Sequence, residues 1–96
     1  MFPVLEDVAQ ELNVTPDFLW QESLGAYAAR ELRLTDMDIA DFQDRYDVAA
    51  PEELKAKIDS GDIYSHPAWE ELIEWENLAM YRTSMVRLQA SLVRHV

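Results

Sequence analysis

The segment AARELRLTDMDIADFQDRY, residues 28–46, decides how this chain folds. Its core-facing positions recur in steps of 4, 3, 4, 3 and 4 residues, at Ala28, Leu32, Thr35, Ile39, Phe42 and Tyr46. This spacing puts them on one face of an α-helix and gives that face the seam of a coiled coil. The middle of the segment has weak helix formers, but we predict one continuous helix through it.

A matching seam occurs near the end of the chain. Steps of 3, 4, 3 and 4 residues connect Leu78, Tyr81, Met85, Leu88 and Leu92. A second series advances by seven residues, at Leu72, Ala79, Val86 and Val93. A helix that is apolar on two faces either lies between neighbours or dimerises. We therefore predict two long antiparallel helices in a homodimer, with dimer contacts at Ala28, Leu32, Ile39, Phe42, Tyr46, Leu78, Tyr81, Met85, Leu88 and Leu92.

Prolines mark where helices begin. Each of the four precedes an acid-rich stretch, and proline and acidic residues both suit the first turn of a helix. Thr15 is placed to cap the second helix, and Gly61 to end the third. No segment alternates with period two, so we predict no strand. The result is a single all-α domain over residues 1–96, with helices at about Pro3–Leu12, Pro16–Tyr46, Pro51–Ser60 and Pro67–His95.

Composition limits the possible functions. The 96 residues include 19 acids and 8 bases, a net charge of −11, and 49% are apolar. Such a chain folds, but it lacks the cations that bind nucleic-acid phosphates or anionic membranes. We expect no binding to duplex DNA by the chain alone. No cysteine is present, which excludes disulfides, thiolate metal sites and thiol catalysis. Without a secretion signal or an apolar run of about 20 residues, a cytoplasmic location is expected.

Motifs for catalysis are incomplete. Glu70-Glu71-Leu72-Ile73-Glu74 has the EExxE form of all-α nucleotide pyrophosphatases, but no acidic side chain follows Glu76 to complete a magnesium site. His66 precedes a predicted helix and His95 is the penultimate residue, so they form no credible pair. No glycine-rich phosphate loop is present. We predict that the protein is not an enzyme and has no cofactor or metal.

Acidic and aromatic residues point instead to a binding surface. Asp41 and Asp44, like Asp44 and Asp47, are three residues apart and share a helix face, which would attract a basic partner. Trp69 and Trp75 are six residues apart, about 240° around a helix, so they cannot both face one core. Tryptophan is also typical of binding hot spots. At least one of the two is expected at an interface.

Two segments resemble antitoxins. Residues 4–19, VLEDVAQELNVTPDFL, resemble the helical part of ribbon–helix–helix antitoxins, although no strand precedes them to read DNA. The segments IADFQDRYDV (39–48), PEEL (51–54) and HPAWEELIEWE (66–76) resemble a pattern of small all-α antitoxin-like proteins from type II toxin–antitoxin pairs. Arg45 replaces the common Lys of that pattern, and Asp47 replaces its common Gly.

The resemblance implies a dimeric, non-enzymatic protein that binds and neutralises a small ribonuclease-type toxin. An anionic helical protein suits this role, because it would be steered to the basic surface of such a toxin and cover it. In this hypothesis Trp75 is the apolar anchor and the carboxylates pair with toxin cations. The predicted partner-binding residues are Asp41, Asp44, Asp47, Trp69, Ile73, Glu74, Trp75 and Glu76. The alternative is a non-enzymatic helical dimerisation or adaptor module, and an enzyme comes third.

Overall fold

The computed structural model describes residues 4–94, and these residues contain helices and no strand. The helical segments are α1 (Leu5–Glu11), α2 (Pro16–Tyr46), α3 (Pro51–Asp59) and α4 (Ser65–Arg94). The predicted all-α class is confirmed. The predicted first residue of the first helix, Pro3, and the predicted last residue of the fourth helix, His95, lie outside the described residues. No helix in residues 4–94 is both long and apolar enough to cross a membrane.

The ends of α2 follow its sequence signals. Thr15 Oγ1 accepts a hydrogen bond from the Phe18 amide at 3.1 Å, and Pro16 occupies the first turn. The helix is continuous through its middle, as predicted. Its last residue is Tyr46, and the residue that caps it, Asp47, has left-handed backbone angles, φ 53° and ψ 52°. Aspartate tolerates this conformation better than most residues, and the turn brings Val48 back into the core.

The shorter connections also behave as expected. The third helix begins at Pro51 and is followed by Gly61 at a φ of 84°, a conformation that glycine adopts without strain. At the start of α4, His66 has the extended angles φ −120° and ψ 125°. The regular helix therefore begins at Pro67, where the sequence predicted it.

Helices α2 and α4 form an antiparallel pair. Gln21, near the start of α2, donates to the carbonyl oxygen of Leu92, near the end of α4, at 3.4 Å. Tyr81 Oη donates to Glu31 Oε1 at 2.5 Å farther along the pair. The predicted antiparallel arrangement of the two long helices is confirmed.

The residues predicted to form dimer contacts lie instead between α2 and α4 of the same chain. These residues pack α2 on α4 within one chain, because the two coiled-coil seams cover each other. Ala28, Phe42 and Leu92 are buried there without any partner chain. The half-buried members of the same set are Leu32, Ile39, Tyr46, Leu78, Tyr81, Met85 and Leu88. A homodimer remains a prediction, but it needs a different surface.

The main core lies at one end of this pair. Phe42, Val48, Leu54, Leu72 and Trp75 form its buried cluster. The cluster joins α2, the α2–α3 turn, α3 and α4, whereas α1 packs on α2 outside it. The core is thus built by three helices rather than by all four.

The molecule is strongly elongated. Its radius of gyration is 19.2 Å and its extents are 60 × 31 × 16 Å. A compact domain of this length would have a radius of gyration of about 12–13 Å. The difference arises because α2 and α4 extend well beyond α3, which leaves much of the two-helix layer uncovered by a third helix.

Candidate functional site

Charge is segregated along the helix pair. Residues 37–76, which include α3 and the core end, carry twelve acids and three bases, a net charge of −9. Residues 16–36 and 77–94, the other end of the pair, carry four acids and five arginines, a net charge of +1. Nearly all the negative charge of the helix pair is thus concentrated at the core end.

A groove between α2 and α4 collects several of these carboxylates. The groove has a volume of about 210 Å³. We call it the acidic groove, and its lining residues are Asp38, Asp41, Phe42, Arg45, Glu71 and Glu74. Of the predicted partner-binding residues, the fold brings Asp41 and Glu74 together here from different helices.

Glu71 organises one side of the acidic groove. Its Oε1 accepts a hydrogen bond from Arg45 Nη1 at 2.6 Å, and its Oε2 accepts one from Tyr46 Oη. The Arg45 guanidinium carbon also lies 5.5 Å from the centre of the Phe42 ring. The cation that lines the groove, Arg45, is therefore engaged by Glu71, while Asp38, Asp41 and Glu74 form no ion pair with the side chains of residues 4–93.

These bonds change the ionisation of both acidic partners. The hydrogen bond from Tyr46, together with that from Arg45, lowers the pKa of Glu71 against the opposing effect of burial. Burial, followed by the bond to Glu71, raises the pKa of Tyr46 to about 12. Glu71 is thus held as a carboxylate and Tyr46 as a neutral donor at neutral pH.

Glu71→Gln should therefore change how stability depends on pH. A carboxyl group whose pKa is lowered by folding contributes stability above its unfolded pKa of about 4.3, and this contribution is lost as pH falls through the folded pKa. At pH 7 we expect the free energy of unfolding of the wild type to be about 1 kcal/mol higher than that of Glu71→Gln. The difference should shrink at pH 3, as measured by urea unfolding at both pH values. Glu74→Gln is the matched control, and a difference of equal size in that variant would contradict the assignment.

Two further acidic residues of the predicted surface, Asp44 and Asp47, lie beside the α2–α3 turn. Asp44, Asp47 and Glu53 line a second pocket of about 440 Å³ together with Gln43, Val48 and Ala49. Here Glu53 Oε2 accepts a hydrogen bond from the Ala49 amide at 3.2 Å, and Gln43 Nε2 donates to the Ala49 carbonyl at 2.9 Å. The single predicted aspartate face is therefore divided between the acidic groove and this turn pocket.

Trp75 does not lie on the surface where it was predicted. Only 2% of it is exposed, and its ring stacks on Phe42 with centroids 5.9 Å apart. The prediction that Trp75 is an exposed anchor is wrong for this conformation, because the Trp75 face of α4 meets both α2 and α3. Trp69 and Ile73, in contrast, are 44% and 45% exposed.

The two tryptophans thus face in different directions, as their spacing predicted. Trp69 is five residues before Glu74, which places it about 140° around α4 from that carboxylate. The exposed Trp69 and Ile73 therefore lie away from the acidic groove and do not form one patch with it. Glu76 is exposed as well.

Sequence reasoning missed three residues of the acidic groove, namely Asp38, Arg45 and Glu71. A signal for them exists, because Asp38 and Asp41 are three residues apart on α2, as are Glu71 and Glu74 on α4. Each pair therefore shares a helix face. Only the register between the two helices shows that the faces meet.

The arrangement of the acidic groove is suited to binding a cationic side chain. Its carboxylates come from two helices, and the ring of Phe42 lies at its base beside Arg45. No cluster of three or more potential metal ligands occurs in the described part of the chain. A lysine or arginine of a partner would find unpaired carboxylates here, whereas the Phe42 ring is already covered by Trp75 and Arg45.

Comparison with known proteins shows the family of this chain. A family model described as "Uncharacterized protein MJ0235 family" matches residues 1–92. No curated protein and no solved structure matches the chain.

Proposed function

We propose that this chain, which belongs to the MJ0235 family, is a non-enzymatic, antitoxin-like protein that binds a basic partner and covers its active surface. The observation that carries this proposal is the acidic groove, in which Asp38, Asp41 and Glu74 have no cationic partner among the side chains that the structure describes, those of residues 4–93. The resemblance of residues 39–76 to antitoxin-like proteins supports a small ribonuclease-type toxin as that partner.

Unpaired carboxylates at this density are costly for the free protein. Residues 37–76 carry a net charge of −9, and like charges held close together repel one another. A basic protein would relieve this repulsion on binding. The same field would accelerate its association, because electrostatic steering raises encounter rates at low ionic strength.

Occlusion is the mechanism that this geometry supports best. A ribonuclease binds its substrate through cations around its active site, since RNA phosphates are anionic. A rigid two-helix surface lined with carboxylates would compete for those cations and exclude RNA from them. This mechanism needs no catalytic group on the inhibitor.

The second candidate is a helical dimerisation or adaptor module. The elongated shape favours it, since a radius of gyration of 19.2 Å leaves long helix faces open for other chains. The two candidates differ in their effect on the partner. An inhibitor abolishes the partner's activity, whereas an adaptor binds without changing it.

The test is to co-express the chain with the small basic protein encoded by a neighbouring reading frame and to purify the complex. Ribonuclease activity of the partner is then measured with and without the chain. Asp41→Lys/Glu74→Lys should weaken the complex at least about tenfold, mainly through slower association. Glu6→Lys/Glu11→Lys on α1 changes the net charge equally and is the matched control.

The control should lose much less affinity, because α1 lies outside the acidic groove. Equal losses in the two double variants would contradict a local site and indicate only a general charge effect. A stable complex with unchanged ribonuclease activity would favour the adaptor. Failure of any basic neighbour to co-purify would contradict the proposal, and magnesium-dependent nucleotidase activity of the chain would support the enzyme alternative.

A further inference from the structure

The other end of the helix pair presents an apolar surface with much less negative charge than the core end. Phe18 on α2 is 52% exposed, and Val86 and Val93 on α4 are 41% and 72% exposed. Val86 and Val93 belong to the heptad series whose first member, Leu72, is buried under α3. Because α3 covers only the core end of the pair, the later members of this series have no helix packed over them in the described chain.

These residues face the same side of the helix pair. A groove of about 360 Å³ runs between the helices here, and its lining residues are Gln21, Glu22, Gly25, Gln89, Leu92 and Val93. Phe18 is seven residues before Gly25, and Val86 is seven before Val93, so each pair shares a face. We call the surface of Phe18, Gly25, Val86 and Val93 the neutral face.

Gly25 has no role that the single chain explains. It lies inside the long helix α2, where glycine costs about 1 kcal/mol relative to alanine. A Cβ atom added at Gly25 would meet nothing within 4 Å, so no neighbour of the same chain requires its absence. Glycine on a helix face permits the backbone of another helix to approach closely.

We propose that a second copy of this chain packs on the neutral face, so that two helix pairs form an antiparallel four-helix bundle. This inference does not depend on the function proposed above. A two-fold arrangement puts the same surface of each copy into the interface and pairs the Gly25 positions with apolar residues of the other copy. The exposed members of the second α4 seam then become core residues of the dimer.

The distribution of charge along the helix pair favours a second copy of the chain as the partner on the neutral face. A molecule with a net charge of −11 repels itself unless its contact surface excludes most of that charge. The helix-pair segments of this end, residues 16–36 and 77–94, have a net charge of +1, and α1, which packs on α2, adds Glu6, Asp7 and Glu11. This end therefore carries −2 against −9 at the core end, so two copies repel each other least there. In the antiparallel arrangement the two ends of −9 point away from each other, and both acidic grooves stay accessible.

The size of the surface also fits a stable dimer. The 21 residues from 16 to 36 give a helix about 30 Å long, and two packed helices are about 20 Å wide. A corrugated surface of these dimensions is comparable with the roughly 800 Å² per partner that stable interfaces bury. The elongated shape of the single chain, with a radius of gyration of 19.2 Å, leaves this surface open.

Light scattering at micromolar concentration tests the proposal. The wild type should have about twice the chain mass of 11.1 kDa. Gly25→Leu and Val86→Glu should each weaken dimerisation at least about tenfold, with helical circular dichroism retained. Met80→Glu is the matched control, since Met80 is 64% exposed on another side of α4 and should leave the dimer intact.

Gly25→Leu keeps the test decisive if Val86→Glu fails to fold, because the space around Gly25 is open in the single chain. A wild type of 11.1 kDa at micromolar concentration would overturn the proposal. So would a dimer that Gly25→Leu leaves unchanged, or one that Met80→Glu dissociates as strongly as the substitutions on the neutral face. Loss of the dimer in the neutral-face variants alone supports the assignment.

Discussion

Replacing Trp75 with alanine should remove about 3–5 kcal/mol from the free energy of unfolding, because it deletes the largest side chain of the core. Trp75 is 2% exposed and stacks on Phe42 at the junction of α2, α3 and α4. A chain of 96 residues is stable by about 5–14 kcal/mol in total. The variant should therefore be close to unfolding at 37 °C, as urea titration followed by circular dichroism would show.

Trp69→Ala is the matched control for this experiment. The same side-chain change occurs on the same helix, but Trp69 is 44% exposed and lies outside the buried cluster. We expect it to cost much less, about 1 kcal/mol or below. Equal losses in the two variants would show that the core is not centred on Trp75. A Trp75→Ala variant as stable as the wild type would contradict a core role for Trp75 and favour the earlier hypothesis that it is an anchor for a partner.

Leu54→Ala should have the second-largest effect, a loss of about 2–5 kcal/mol. Leu54 has 0% exposure and is the buried residue of α3. Its removal leaves a cavity between α3 and the pair formed by α2 and α4. The contacts that remain are the packing of Ile58 and the hydrogen bonds from Lys57 to the carbonyl oxygens of Tyr46 and Asp47, which we expect to be too weak to hold a helix of nine residues in place. We expect α3 to detach at lower urea concentration than the helix pair, visible as early loss of amide protection in hydrogen exchange.

Leu34→Ala provides the comparison for Leu54→Ala. Leu34 is 40% exposed on α2, and alanine is an equally good helix former, so the unfolding free energy should change by less than about 1 kcal/mol. A single cooperative loss of protection in all helices of Leu54→Ala would contradict the separate detachment of α3. It would leave the predicted loss of stability intact.

Local signals in the sequence were sufficient to predict where the helices begin and end. Thr15 and Pro16 fixed the start of α2 because a side-chain oxygen and a proline satisfy the first turn regardless of distant contacts. Gly61 marked the end of α3 because glycine tolerates a positive φ. The spacing of apolar residues likewise predicted the continuity of α2. These features depend on residues within a few turns of one another.

The acidic groove could not be predicted from local signals of this kind. Asp41 and Glu74 were predicted from the sequence to belong to one partner-binding surface, but the spacing of residues does not show that they line a groove between α2 and α4. Their meeting depends on the register between α2 and α4, and the same register brings Arg45 to Glu71 at 2.6 Å. The side-chain ion pair is a consequence of packing and leaves no trace in the spacing of charges.

The sequence by itself therefore determined which residues are helical and which of them share a face. Tertiary structure alone decided what covers each face. The seams assigned to a dimer cover each other within one chain, and α3 buries Trp75 while leaving Val86 and Val93 open. The physical reason is that helical periodicity fixes the direction of a side chain around its own axis, whereas burial depends on which other surface gains most by excluding water from it.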